Sequence, residues 1–183
     1  MAAPATDRPR VRVAALICTE GRVVCVRHRA GSSVYHLLPG GGVGYRETIE
    51  DALVREVQEE TGFEVAVGRP LLISDTIDPE GSRHVVNLTF EATITGGAIT
   101  TRPADPRVAA VDLIHPDQLG ALDLRPPIAS AILDVLASPD AFQTRYLGSL
   151  FTTGATSGAQ PGPGSETPSE QGSQDNRPAE DVS

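Results

Sequence analysis

Three glutamates in one short segment have the spacing of a carboxylate site for a cation. Glu56, Glu59 and Glu60 stand at positions i, i+3 and i+4, which an α-helix brings together on neighbouring turns. Carboxylates that share an inward-facing surface repel one another and lose hydration, so they need a cationic partner. Mg²⁺ prefers oxygen ligands and is commonly held by few carboxylates together with substrate phosphates. The spacing therefore indicates a magnesium and phosphate site.

A helix is predicted to carry these carboxylates. Residues 46–61 contain no helix breaker, and Gly62 follows as a stop of the left-handed type. On a helical wheel, Glu56 and Glu60 fall inside the apolar stripe and Glu59 falls at its edge. That stripe is defined by Ile49, Ala52, Leu53 and Val57. A charged helix face is usually solvated, but the phase of the stripe argues against that interpretation here.

A glycine run precedes the helix. Gly40, Gly41 and Gly42 offer bare backbone that can approach a phosphate or a metal closely, although such runs are also common in ordinary loops. Arg55 lies one turn before Glu59 and could orient a carboxylate. From spacing alone, an ordinary i,i+4 surface pair explains Arg55 equally well.

The basic residues of the chain exclude several kinds of chemistry. All 15 bases among the 183 residues are arginines, so a phosphate loop ending in Lys, a Schiff-base Lys and a Lys general base are impossible. The net charge of −9 argues against nucleic acid or an anionic membrane as a partner. No apolar stretch suits a membrane span or a signal peptide, so we expect a cytoplasmic protein.

The chain is expected to hold one domain between two irregular ends. Residues 1–9 are interpreted as a flexible N-terminus, residues 10–150 as the domain, and residues 151–183 as a disordered acidic tail rich in Gly, Ser and Pro. Cys18 and Cys25 are expected to pack in the core.

The domain is predicted to contain about six strands and two helices, which makes it a mixed α/β fold. Residues 86–94 alternate apolar and polar types, which is typical of a half-buried strand with one polar face. The second helix is predicted over 128–137. Other strand-like runs cover 11–18 and 23–29 as a hairpin, 34–38, 63–67, 71–77 and 108–114.

The glycine run and the helix together resemble the Nudix box, written G-x5-E-x7-R-E-U-x-E-E-x-G-U with U a large apolar residue. The approach to the box, LLPGGG at 37–42, also resembles the family. All nine specified positions match, namely Gly41, Glu47, Arg55, Glu56, Val57, Glu59, Glu60, Gly62 and Phe63.

The resemblance implies an α/β/α sandwich that hydrolyses a nucleoside diphosphate linked to another moiety, with Mg²⁺ or Mn²⁺ as cofactor. By matched positions, the metal ligands would be Glu56, Glu59, Glu60 and the Gly40 carbonyl. Glu47 would support the junction of loop and helix, and Arg55 would hold a ligand carboxylate in place. The catalytic candidates are therefore Glu59, Glu56, Arg55 and Glu47.

Two features expected outside the box are missing. Many Nudix proteins have a Glu before the strand that corresponds to 108–114 and a Trp within it, whereas this chain has Arg107 and Leu113. A base or an additional metal ligand could instead be supplied by one of three unranked acids, Glu91, Asp105 and Asp112. If none of them serves, the base must be a glutamate of the box.

The residues that would choose the substrate are less clear from sequence. Pro79 lies sixteen residues after Phe63, as is common in the ADP-ribose-cleaving branch, but a type I turn at 78–81 also explains it. The substrate-binding candidates are Gly41, Gly42, Arg27 and Arg29, and Arg83 and His84 could also contact phosphate or ribose. His28, His36 and His115 show no metal spacing and are interpreted as structural.

We therefore expect a metal-dependent pyrophosphohydrolase that acts on a small nucleoside diphosphate derivative, preferably ADP-ribose or a nucleotide sugar. One alternative is a sanitising hydrolase of oxidised nucleoside triphosphates such as 8-oxo-dGTP. A second alternative is a weak or inactive Nudix module that binds a nucleotide and presents the tail to a partner. A homodimer is left open, because the sequence is silent on oligomeric state.

Overall fold

The computed structural model describes residues 8–100 and 103–151. The predicted tail, apart from Phe151, and most of the predicted N-terminal segment lie outside these residues. The strands are β1 (Arg10–Thr19), β2 (Arg22–Ala30), β3 (Ser33–Leu37), β4 (Phe63–Ile77), β5 (His84–Gly97), β6 (Val108–Ile114) and β7 (Arg145–Ser149). The helices are α1 (Ile49–Thr61) and α2 (Ala129–Ala137), and a 3₁₀ helix covers Pro116–Ala121. Within the described residues, no helix has the length and apolar character needed to cross a membrane.

The strands form a mixed sheet in the order β3-β2-β1-β5-β4-β7, with β6 paired to β2. The β1–β5 and β4–β7 pairs are parallel, and the other pairs are antiparallel. β1 meets β2 only beside their hairpin, through Cys18–Val23 and Thr19–Arg22. β1 therefore connects the part of the sheet formed by β2, β3 and β6 to the part formed by β4, β5 and β7, and it lies at the centre of the fold.

Apolar residues on both faces of β1 explain why a helix packs on each side of the sheet. Because side chains alternate along a strand, Val13, Ala15 and Ile17 pack with α1, whereas Ala14 and Leu16 pack with α2. All five are at most 4% exposed. The sheet thus lies between two helices, which confirms the predicted α/β/α sandwich.

α1 begins three residues later than predicted. Thr48 caps the helix, since its side chain accepts a hydrogen bond from the Asp51 N–H at 3.1 Å. Arg46 has φ 64°, a left-handed conformation that cannot continue a right-handed helix. The C-terminus agrees with prediction: Gly62 has φ 80°, and its N–H donates to the Gln58 carbonyl.

Other differences arise from contacts that a local pattern does not contain. The runs 63–67 and 71–77 form one irregular strand, β4, because register shifts against β5 absorb the residues between them. β7 was not predicted, since its sequence RYLGS lacks a clear strand pattern, and neither was the 3₁₀ helix.

Two expectations about burial were wrong. The polar face of β5 is not solvated throughout: Asn87 and Thr89 are buried, and the Asn87 amide donates to Thr76 Oγ1 at 3.0 Å. Cys18 is exposed because it stands where β1 turns into the hairpin, whereas Cys25 is buried as expected.

Candidate functional site

The glycine-rich segment runs along β1 as an additional, irregular strand. The Val13 N–H donates to the Gly41 carbonyl at 2.9 Å, and the Val43 N–H donates to the Val11 carbonyl at 3.0 Å. The Ala15 N–H donates to the Pro39 carbonyl at 2.8 Å. These bonds fix the loop backbone against the centre of the sheet, directly beside α1.

Two glycines in this loop make close approaches: Gly40 could not be replaced without strain, and a side chain on Gly41 would displace Glu56. Gly40 has φ 144°, and a Cβ there would lie 2.1 Å from the Val13 carbonyl oxygen. A Cβ on Gly41 would lie 2.1 Å from Cδ of Glu56 and within 2.3 Å of both oxygens of that carboxylate. The missing side chains therefore let the loop contact β1 on one side and a box glutamate on the other.

Glu60 is the buried carboxylate of the site, with 2% exposure. Its Oε2 accepts a hydrogen bond from the Gly40 N–H at 2.8 Å. Burial raises the pKa of Glu60 to about 7, although the Gly40 hydrogen bond and the charge of Arg12 act in the opposite direction. The helix phase predicted this inward position, and the structure shows that the loop backbone provides its partner.

Arg12 is a site residue that sequence reasoning missed. Its Nη2 donates to the Leu38 and Gly40 carbonyl oxygens, each at 3.0 Å. Desolvation lowers the pKa of Arg12, while the charges of Glu60 and Glu56 raise it. An arginine within the apolar run of a central strand was the available signal. The Gly40 carbonyl, which the family resemblance assigns to a metal, is thus bound to a guanidinium here.

Arg55 joins the start of the helix to two box carboxylates. Its Nε and Nη2 bind Glu47 Oε1 and Oε2 at 2.8 and 2.9 Å, a bidentate pair. Its Nη1 contacts Glu56 Oε1 at 2.8 Å and Glu59 Oε2 at 3.5 Å. The hydrogen bonds from Arg55 lower the pKa of Glu47 to about 2 and, together with the Gly44 N–H, fix that side chain. The i,i+4 pair with Glu59 is the longest of these contacts.

The oxygen donors suit a hard divalent cation. Glu56 is mostly buried, and the side chain of Glu59 is 46% exposed, so the carboxylates extend from the interior of the site to solvent. Among the described residues, no three carboxylate, thiol or imidazole groups converge to hold a metal.

A cleft of about 200 Å³ adjoins Glu60 and the glycine loop. Among the arginines considered for substrate binding, Arg83 lines it, whereas Arg27 and Arg29 do not. Arg27 lies on the face of β2 that points away from the cleft, where it pairs with Asp112 at 3.2 Å. Arg29 is two residues further along the same strand and therefore lies on the same face as Arg27. The arginines that do line the cleft are Arg10, Arg12, Arg83, Arg107 and Arg125.

Only one of the three acids considered outside the box lies near this site. The Ala104 N–H donates to the Glu59 carbonyl and so ties the loop of Asp105 to the end of α1. Asp105 is close enough to raise the pKa of Glu60. Its own pKa is lowered by hydrogen bonds from Arg107, including Nη2 to Oδ2 at 2.6 Å. Glu91 pairs with Arg69 instead.

His28, interpreted from the sequence as structural, lines the cleft. Its side chain is buried, and Nε2 has no hydrogen-bond partner in the described part of the chain. Glu60 Oε1 lies 3.9 Å away. Burial lowers the pKa of His28 while that of Glu60 is raised, so the contact is not an ion pair at neutral pH. Nε2 is therefore a buried ring nitrogen without a hydrogen-bond partner among the described residues.

Known proteins are similar to this chain in sequence and in fold. A family model described as NUDIX domain matches residues 8–136. ADP-ribose pyrophosphatase of Methanocaldococcus jannaschii is 30% identical over 92 residues, which cover 50% of this chain and 54% of that protein. The match thus spans about half the length of this relative.

Solved structures agree with the fold. A NUDIX hydrolase from Nitrosomonas europaea has a TM-score of 0.64 at 21% identity, over 74% of this chain and 93% of that one. A MutT NUDIX hydrolase from Burkholderia pseudomallei has a TM-score of 0.50 at 33% identity, over 61% and 86%. With the family match covering most of the sequence and the motif at 41–63 complete, the chain belongs to the Nudix family.

Proposed function

We propose that this protein is a divalent-metal-dependent pyrophosphohydrolase that cleaves the diphosphate bond of a nucleoside diphosphate derivative, preferably ADP-ribose or a nucleotide sugar. The observation that carries the proposal is that the buried box glutamate Glu60, the glycine loop and five arginines line one cleft. The name of the archaeal relative supports the preference for ADP-ribose.

Glu56, Glu59 and Glu60 are proposed to hold Mg²⁺ or Mn²⁺. When bound, such a cation would neutralise the diphosphate and lower the pKa of an attacking water. Arg55 restrains Glu56 and Glu59 from one side, and the Gly40 N–H restrains Glu60 from the other. These restraints favour one arrangement of the oxygen atoms before a ligand arrives.

Glu59 is the best placed group to accept the proton of the attacking water. Its contact with Arg55 is long, whereas Glu56 and Glu60 are each held by a hydrogen bond of 2.8 Å. Asp105 is a poorer base at neutral pH, because its pKa is lowered by Arg107. We assign Asp105 the role of holding Arg107 in the cleft.

The test replaces Glu59 by Gln in the full chain. The side chain is half exposed, so the fold should be retained while metal-dependent hydrolysis of ADP-ribose falls by at least about 100-fold. Glu50→Gln removes an exposed acid from the far end of the same helix and serves as the matched control. Equal turnover by the two variants would contradict the assignment.

Product analysis separates the alternatives. AMP with ribose 5-phosphate from ADP-ribose supports the proposal, whereas efficient release of pyrophosphate from 8-oxo-dGTP favours the nucleotide-sanitising function. Tight binding without turnover in either Mg²⁺ or Mn²⁺ would favour the binding module.

A further inference from the structure

One wall of the cleft is formed by two adjacent parallel strands. In the β1–β5 register, Arg10 lies beside Val85 and Arg12 beside Asn87, and all four residues line the cleft. Arg83 directly precedes β5 and also lines the cleft. The cleft therefore brings together Arg10, Arg12 and Arg83, although Arg83 is far from the others in sequence.

The charges of the cleft are not balanced. Arg107 pairs with Asp105 at 2.6 Å, and Arg125 pairs with Asp123 at 2.6 Å. The charge of Arg12 is met by Glu60 and Glu56, which raise its pKa. The two remaining arginines, Arg10 and Arg83, have no hydrogen-bond or acidic partner among the described residues.

Each unpaired arginine lies close to another residue of the cleft: Arg10 to Gly42, and Arg83 to Arg12. Arg10 Nη2 is 3.3 Å from the point where a Cβ on Gly42 would lie, so it borders the glycine loop. Arg83 is close enough to Arg12 to lower the pKa of that residue. The exposed guanidinium of Arg83 therefore repels that of Arg12, and an anionic ligand would relieve that repulsion.

We propose that Arg10 and Arg83 form a second anion subsite for a phosphomonoester that the substrate carries in addition to its diphosphate. This inference rests on the proposed function, which assigns the diphosphate to the box. A phosphomonoester carries a charge of about −1.5 to −2 at pH 7 and offers three acceptor oxygens, which matches two unpaired guanidinium forks.

The experiment compares ligands that differ only by this phosphate. The pairs are NADPH with NADH, coenzyme A with dephospho-coenzyme A, and 2′-phospho-ADP-ribose with ADP-ribose. Equilibrium binding to the full chain is measured by calorimetry with Mg²⁺ present and in the Glu59→Gln background, which removes the proposed base so that turnover is slow. We expect the phosphorylated member of at least one pair to bind about tenfold more tightly.

Arg10→Gln and Arg83→Gln should each reduce that ratio to within about threefold of unity. Arg22→Gln is the matched control, because Arg22 is also exposed and lies at the opposite end of β1, in the hairpin. It should leave the ratio unchanged. Both tested side chains are exposed, so circular dichroism should show native folds.

The inference is overturned if the Glu59→Gln protein with both arginines intact shows no preference in any pair, including the case in which neither member binds. It is also overturned if both arginine variants keep the ratio of that protein. Turnover with Mg²⁺ is measured separately: a preserved binding preference without hydrolysis would overturn the proposed function alone. Hydrolysis without any binding preference would overturn this inference alone.

Discussion

Gly41 packs against the carboxylate of Glu56 so closely that a Cβ on Gly41 would lie 2.1 Å from Glu56 Cδ. The glycine is therefore part of the surface that sets the position of a proposed metal ligand. Arg55 holds the same carboxylate from another direction at 2.8 Å.

Gly41→Ala should displace Glu56 and lower kcat/KM by about 100-fold, the size of effect expected when a reacting group shifts by about 1 Å. Hydrolysis of ADP-ribose with Mg²⁺ is the measurement. Gly120→Ala is the control, because nothing lies within 4 Å of a Cβ at that position. Similar activity in both variants would show that the Glu56 position is not critical.

The Glu47–Arg55 pair should make stability depend on pH. Because the folded-state pKa of Glu47 is lowered to about 2, its stabilising effect is present above its ordinary pKa near 4.5 and is lost as pH falls toward 2. A double-mutant cycle with Glu47→Gln and Arg55→Gln, followed by urea unfolding at pH 7 and pH 3, measures the coupling. A coupling free energy that does not decrease at pH 3 would contradict the prediction.

Arg12→Gln should lower the free energy of unfolding by about 1–3 kcal/mol, because the Leu38 and Gly40 carbonyl oxygens lose a charged donor inside the fold. Urea unfolding at pH 7 is the measurement. The exposed Arg22→Gln variant should remain within about 0.5 kcal/mol of wild type. Equal stabilities would mean that Arg12 does not anchor the loop.

Leu53→Ala should destabilise the fold by about 2–5 kcal/mol, because it opens a cavity in the cluster between α1 and the sheet. Val54 is the next residue on the same helix and is 37% exposed. Val54→Ala should therefore cost much less in the same thermal and urea measurements. If the two variants are equally stable, the assigned helix face is wrong.

The local sequence pattern was sufficient to predict the helix that carries the box carboxylates and the glycine at which it ends. The apolar stripe fixed which side of α1 faces the sheet, so the burial of Ala52, Leu53 and Val57 followed from a period of 3.6 residues. Gly62 adopts the expected left-handed conformation. The start at Thr48 was missed although Thr is a favoured N-cap residue, because nothing in the type of Arg46 indicates its positive φ.

The spacing of the Nudix box, readable in the sequence, determined the family, the sandwich and the carboxylates proposed to bind metal. Tertiary structure decided which arginines face the cleft: Arg10 and Arg12 do so without having been candidates, whereas the candidate Arg27 pairs with Asp112 on the other face. The reason is that the box is one local segment whose helical period orders its residues. The cleft, by contrast, is assembled by strand register and loop packing between residues far apart in the chain.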